Sequence, residues 1–204
     1  MSLQILDPVR VVAVTDRTMM GATPKELADT IERALQGCPP GSVLIQVREK
    51  DLDGKGLLEL ISIARRYSRV IVNDRVDVAL AAEAIAVHLP EDGLSVAEAR
   101  KQFPGIIGVS RHAPDDHTGA DLVLLGPIWA TPSKPGRAPL GLDVLRAPHG
   151  TAKLVAIGGI DSPERARDAA MAGADAVAVI RAAWSGGSLV PYVTAVDAGR
   201  ALRT

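Results

Sequence analysis

Gln46, Arg48 and Lys50 alternate with Val47 and Glu49 at the end of an apolar run. A strand puts every second side chain on one face, so these three point the same way. An arginine fork beside a lysine point charge suits a phosphate or diphosphate. A solvated strand exit neutralised by Glu49 is the plainer alternative. Asn73-Asp74 closes another apolar run. A carboxylate there could hold Mg²⁺, completed by waters and substrate phosphates, or cap a helix beginning at Arg75. Gly158-Gly159 follows a third run and precedes a helix start. Paired glycines at such a place expose backbone N–H groups as an anion nest, with Val179-Ile180-Arg181 as the neighbouring segment. Ser110 and His112 end a fourth run. His112 is either a general acid or base or a structural hydrogen-bonder. His88 reads as a partly buried strand residue, His117 and His149 as surface residues. Residues 131–137 form a Pro/Gly loop with two hydroxyls and two cations, either a lid or a solvated loop.

These residues need a frame that gathers strand ends. Short aliphatic runs, rich in β-branched residues, fall at 11–14, 43–47, 70–72, 84–89, 106–109, 122–125, 154–157 and 176–180. Runs apolar on both faces are strands of a parallel sheet buried on both sides. Helix signals lie between them. Thr23-Pro24 with Glu26 opens a helix to about residue 36, and Ser95 with Glu98 is a capping box for one to 102. Asp161-Ser162-Pro163-Glu164 starts a helix ending near Gly173, and others are predicted over 54–67, 75–82 and 190–202. The alternation predicts one (β/α)8 barrel domain over residues 1–204. The rival is a doubly wound open sheet, but it has fewer strands, and no G-x-G-x-x-G follows the first run. In a barrel the chemistry sits at the C-terminal ends of the strands, which is where the polar residues above fall.

Composition narrows the function. Lys+Arg 23 against Asp+Glu 24 leaves a net charge of −1, and aromatics are 2% of 204 residues. A near-neutral chain with almost no stacking side chains is not a nucleic-acid binder. Cys38 is the one cysteine, which excludes an internal disulfide and a cysteine zinc site and fits a reducing compartment. No secretion signal and no charge-free run of about 18 apolar residues is visible, so a cytoplasmic protein without a membrane span is expected. Nothing in the pattern sets an oligomeric state, and a homodimer is compatible with it.

Eight motifs occur in order: Val14-Thr15-Asp16, Gln46-Val47-Arg48-Glu49-Lys50, Val72-Asn73-Asp74-Arg75, Val87-His88-Leu89, Ile107-Gly108-Val109-Ser110, Gly126-Pro127-Ile128, Thr131-Pro132-Ser133-Lys134 and Ala156-Ile157-Gly158-Gly159-Ile160. Together they resemble the family of thiamine-phosphate synthase and its sister, the TenI-type thiazole tautomerase, from Val11 to about Ala183. The resemblance implies the barrel, and an enzyme that joins hydroxymethylpyrimidine pyrophosphate to thiazole phosphate with loss of pyrophosphate. It implies that Arg48, Lys50, Asn73 and Lys134 hold the pyrophosphate and Asp74 its Mg²⁺. Gln46 would line the pyrimidine side, and Thr131 and Ser133 would meet the thiazole or the leaving group. Gly158, Gly159 and Ile180 would offer N–H groups to the thiazole phosphate. Lys134, Ser110 and His112 are the implied catalytic residues, and small phosphorylated molecules the implied partners.

The chain departs from the synthase pattern after the fourth strand. There the family has Gly-Gln-x-Asp, whose Asp is a second metal ligand, but this chain reads Leu89-Pro90-Glu91-Asp92-Gly93. Asp92, or Glu91, would have to take that place. Leu89-Pro90 is similar to the tautomerase branch, in which a histidine at the place of His112 moves a proton on the thiazole without Mg²⁺. The retained Asn73-Asp74 and Arg48-x-Lys50 are similar to the synthase branch. A non-catalytic thiazole-phosphate binder is the reading from outside the enzymes.

Overall fold

The computed structural model describes residues 3–113, 119–132, 136–147 and 150–203. Eight parallel strands close on one another in sequence order: β1 (Val11–Val14), β2 (Val43–Val47), β3 (Arg69–Asn73), β4 (Ala86–Leu89), β5 (Ile106–Arg111), β6 (Leu122–Leu125), β7 (Lys153–Ile157) and β8 (Ala176–Val179). β8 pairs back onto β1 with Val11 opposite Val177, so no sheet edge is left open. The helices are α1 (Arg17–Met20), α2 (Pro24–Leu35), α3 (Gly54–Ala64), α4 (Val76–Ala81), α5 (Val96–Arg100), α6 (Pro163–Ala172), α7 (Arg181–Trp184) and α8 (Val190–Ala201). A 3-10 turn over Asp143–Arg146 stands between β6 and β7.

The period of two divides each strand between two cores. Val12, Val14, Leu44, Ile71, Ala86, Ile106, Leu122, Leu124, Val155, Ala176 and Ala178 fill the barrel as one aliphatic cluster. Their neighbours Val11, Ala13, Val43, Ile45, Val70, Val72, Val87 and Val123 pack outward beneath the helices. A strand buried on both faces must be apolar throughout, which is why the runs showed no alternation. The bottom of the barrel is closed by the chain's own start. A 3-10 turn over Leu3–Leu6 tucks Leu6 and Val9 into the interior cluster, and Arg69 donates to the Ile5 carbonyl at 3.0 Å.

Capping follows the sequence signals. Thr23 and Ser95 form full capping boxes with Glu26 and Glu98, and Ser162 accepts from the Arg165 N–H. Two short helices had no predicted counterpart. α1 is capped by Asp16, and α7 follows β8 directly. The capping alternative for Asp74 fails. The N-cap of α4 is Arg75, with no side-chain cap bond, and Asp74 has φ 66. An N-cap needs extended backbone, which a left-handed residue lacks. The Asp74 N–H turns to the His88 carbonyl at 2.7 Å instead, and its exposed carboxylate is left out of helix capping.

Candidate active site

At the top of the interior the aliphatic filling gives way to a polar layer. Gln46, Asn73, His88 and Ser110 stand at the C-terminal ends of β2, β3, β4 and β5, and all four line one cavity of about 450 Å³. Gln46 donates from Nε2 to the Asn73 Oδ1 at 3.3 Å, while its Oε1 is buried with no protein partner. His88 Nε2 lies 2.8 Å from the Ser110 Oγ. His88 is buried more deeply than its strand position suggested, at 2% exposure. Burial first, then the positive charges of Arg48 and Arg111, lower its pKa to about 3. Such an imidazole stays neutral and has little appetite for a proton. A neutral imidazole in this place holds the Ser110 hydroxyl by a hydrogen bond.

The cationic side is built on the loop leaving β2. Arg48 and Lys50 line the cavity, and among the described residues no carboxylate pairs with either. Glu49 does not neutralise them as the plainer reading had it. It lines both cavities but pairs with Arg17, with Oε2 3.7 Å from the Arg17 Nε and a side chain only 9% exposed. Burial pushes the Glu49 pKa up, against the Thr15 hydroxyl and Arg17, which hold it down. Thr15 also accepts the Arg48 N–H at 2.9 Å, tying the ends of β1 and β2 together. Arg181, at the start of α7, also lines the cavity without a carboxylate partner among the described residues. A second cavity of about 300 Å³ adjoins this side, lined by Arg48, Glu49, Lys50, Asn73, Asp74 and Arg75.

The paired-glycine turn follows β7. Gly158 and Gly159 have φ 96 and 70, both left-handed. A Cβ on Gly158 would stand 2.6 Å from Pro127, and one on Gly159 2.6 Å from the Trp129 Cβ. Glycine is thus required twice, by backbone angle and by contact. Ile180, whose backbone opens α7, and Thr131 line the same cavity. Ser133 and Lys134 lie outside the described residues, as do His117 and His149.

His112 donates from Nδ1 to the Gly126 carbonyl, and its Nε2 faces Glu91 Oε2 at 3.4 Å. Glu91 is therefore directed at a histidine. Asp92 is exposed in the turn after β4 and lines neither cavity. Among the described residues no three acidic, histidine or cysteine side chains gather as a metal centre.

The structure thus gathers Gln46, Arg48, Lys50, Asn73, Ser110, His112, Thr131, Gly158, Gly159 and Ile180 around one cavity and places Asp74 beside it. Sequence reasoning named Arg181 only within the segment beside the glycines, with no role of its own, and missed the burial of Glu49. Arg181 carried a signal, since it follows a strand end in a barrel. The Glu49 partner, Arg17, sits on a helix too short to be read from periodicity.

Comparison with known proteins agrees with this geometry. The family model described as thiamine monophosphate synthase matches residues 11–183. The thiamine-phosphate synthase of Chloroflexus aurantiacus is 43% identical over 166 residues, covering 74% of this chain and 75% of that one. The Thermus thermophilus thiamine-phosphate synthase is 40% identical over 146 residues, covering 65% and 69%. Among solved structures, thiamine phosphate pyrophosphorylase from Pyrococcus furiosus superposes with a TM-score of 0.73 at 27% identity, over 96% of both chains. By sequence, fold and the arrangement of its strand ends, the chain belongs to the thiamine monophosphate synthase family.

Proposed function

We propose that this chain couples hydroxymethylpyrimidine pyrophosphate to thiazole phosphate, releasing thiamine phosphate and pyrophosphate. One observation carries the reading: a single cavity is lined by two sets of groups that could each take an anion. Arg48, Lys50 and Asn73 supply one and the Gly158-Gly159 turn the other, with Gln46 and Ser110 between them. A diphosphate on the first side and a monophosphate on the second match the two substrates.

The C–O bond to the leaving pyrophosphate breaks and a C–N bond to the thiazole nitrogen forms. Charge accumulates on the departing diphosphate, and Arg48, Lys50 and, by the resemblance, Lys134 meet it there. Preoriented charges of this kind lower the barrier because they need no reorganisation. The unpaired Oε1 of Gln46 would accept from the aminopyrimidine. Ser110, held by His88, stands at the centre. Asp74 fits a magnesium ion brought in on a diphosphate, since such ions take one or two carboxylates and complete their shell with phosphate oxygens and water. When bound, that ion neutralises leaving-group charge. Glu91, which faces His112, and Asp92, which lines neither cavity, make the carboxylate set thinner than the resemblance implied. The single cysteine fits a cytoplasmic enzyme. No described helix is long and apolar enough to cross a membrane.

A second reading has one observation in its favour. His112 and Glu91 form a pair beside the cavity that could move a proton on a thiazole, as a tautomerase would. One assay separates the two. Purified protein is given both substrates and Mg²⁺, with and without EDTA. Synthase chemistry yields thiamine phosphate that disappears with chelator, and Asp74→Ala and Lys134→Ala abolish it. Conversion of the thiazole tautomer that survives EDTA and is lost only in His112→Ala would establish the second reading instead.

A further inference from the structure

Arg165, near the start of α6, has no part in the scheme above, yet it holds the phosphate turn from behind. Its Nη1 donates to the Gly159 carbonyl at 2.6 Å and lies 3.0 Å from Asp161 Oδ2. Its guanidinium carbon stands 5.3 Å over the ring of Trp129. Trp129 in turn donates its backbone N–H to the Gly158 carbonyl at 3.1 Å, and Ile128 donates to the Ile157 carbonyl at 2.9 Å. Three consecutive carbonyls of the turn are thus held, two by the loop after β6 and one by Arg165.

A trans peptide points its C=O and the following N–H in opposite directions. Fixing the carbonyls of Gly158 and Gly159 therefore fixes the N–H groups of Gly159 and Ile160, aimed away from Trp129 and Arg165. Gly159 and Ile160 both line the cavity. The two glycines, both at left-handed angles, have the backbone freedom that such a hold removes.

We propose that Arg165 is a positioning residue for phosphate binding. It aims the Ile160 N–H through the Gly159 carbonyl and, stacked on Trp129, braces the turn against the loop after β6. This rests on the phosphate-turn reading given above.

The test compares wild type, Arg165→Ala and Arg165→Lys. Inorganic phosphate is titrated by calorimetry with the cationic side filled by inorganic pyrophosphate, and KM is measured for each substrate. In Arg165→Ala, phosphate affinity is expected to fall about tenfold and KM for thiazole phosphate to rise about as much, the worth of one hydrogen bond to a charged group. KM for the pyrimidine substrate should stay within about twofold, a split that general loosening of the fold would not produce. Arg165→Lys, which keeps the charge and a donor but not the planar stack, should regain part of the loss. Unchanged phosphate affinity in Arg165→Ala, or an equal rise in both KM values, overturns the proposal. Wild type that couples its substrates but takes up no phosphate removes the phosphate turn and this inference with it. Phosphate uptake lost in Arg165→Ala by a protein that couples nothing would sustain the inference and sink the synthase reading.

Discussion

His88 carries a proton in the unfolded chain below about pH 6.5, but in the folded protein only below about 3. Between those values the unfolded state binds more protons, so stability falls as pH drops through that window. His88→Gln, which keeps a hydrogen-bonding group for Ser110, is expected to flatten that decline, read as Tm against pH from about 4 to 7. Gly159→Ala faces a Trp129 Cβ at 2.6 Å with φ 70, so strain and overpacking together should cost about 2–4 kcal/mol in denaturant unfolding. The same variant should lose phosphate affinity. At this scale the sequence was readable wherever a residue's role depended on its place at a strand end. Gln46, Arg48 and Gly158 could be picked out for that reason. Glu49 could not, because its burial depends on Arg17, thirty-two positions away. Nor could the contact between Glu91 and His112, which the turn after β4 decides.

The elements were legible in proportion to their length and purity. The runs at 11–14, 43–47 and 122–125 are strands over those same residues, because uninterrupted aliphatic side chains leave few alternatives to a doubly buried strand. α2, α5 and α6 announced themselves by their caps. α1 and α7 were missed, since four residues make barely one turn and carry no periodicity. α7 is held from outside its own span, with Trp184 Nε1 donating to the Val14 carbonyl at 2.7 Å. The opening 3-10 turn also escaped notice, and its packing gives it a measurable share of stability. Leu6 is 2% exposed within the interior cluster, so Leu6→Ala should cost about 2–5 kcal/mol, seen as a lower urea midpoint at constant slope.

The whole molecule is almost neutral, with a net charge of −1, yet Arg48, Lys50 and Arg181 share one cavity without carboxylate partners among the described residues. Asp16, Glu49 and Asp161 line the same cavity, so the cations are set apart by lacking carboxylate partners and not by an excess of positive charge. Inorganic pyrophosphate with Mg²⁺ at about 100 times its Kd should add about 2.7 kcal/mol of stability. For a chain of this size that is roughly 5–10 °C in Tm. Arg48→Ala with Lys50→Ala should remove most of the gain, and an equal gain in that double variant would place the anion elsewhere. The closed lower end, filled by Leu6 and Val9, bears on turnover as well. A barrel shut at the bottom leaves, among the described residues, the upper cavity as the doorway. Two reactants come in by it, and pyrophosphate and the larger coupled product go out by it, so departure is a queue. On the proposed reaction, whichever product stood nearer the rim would have to clear before the next pair entered, and a lingering pyrophosphate would hold the door against its own successor.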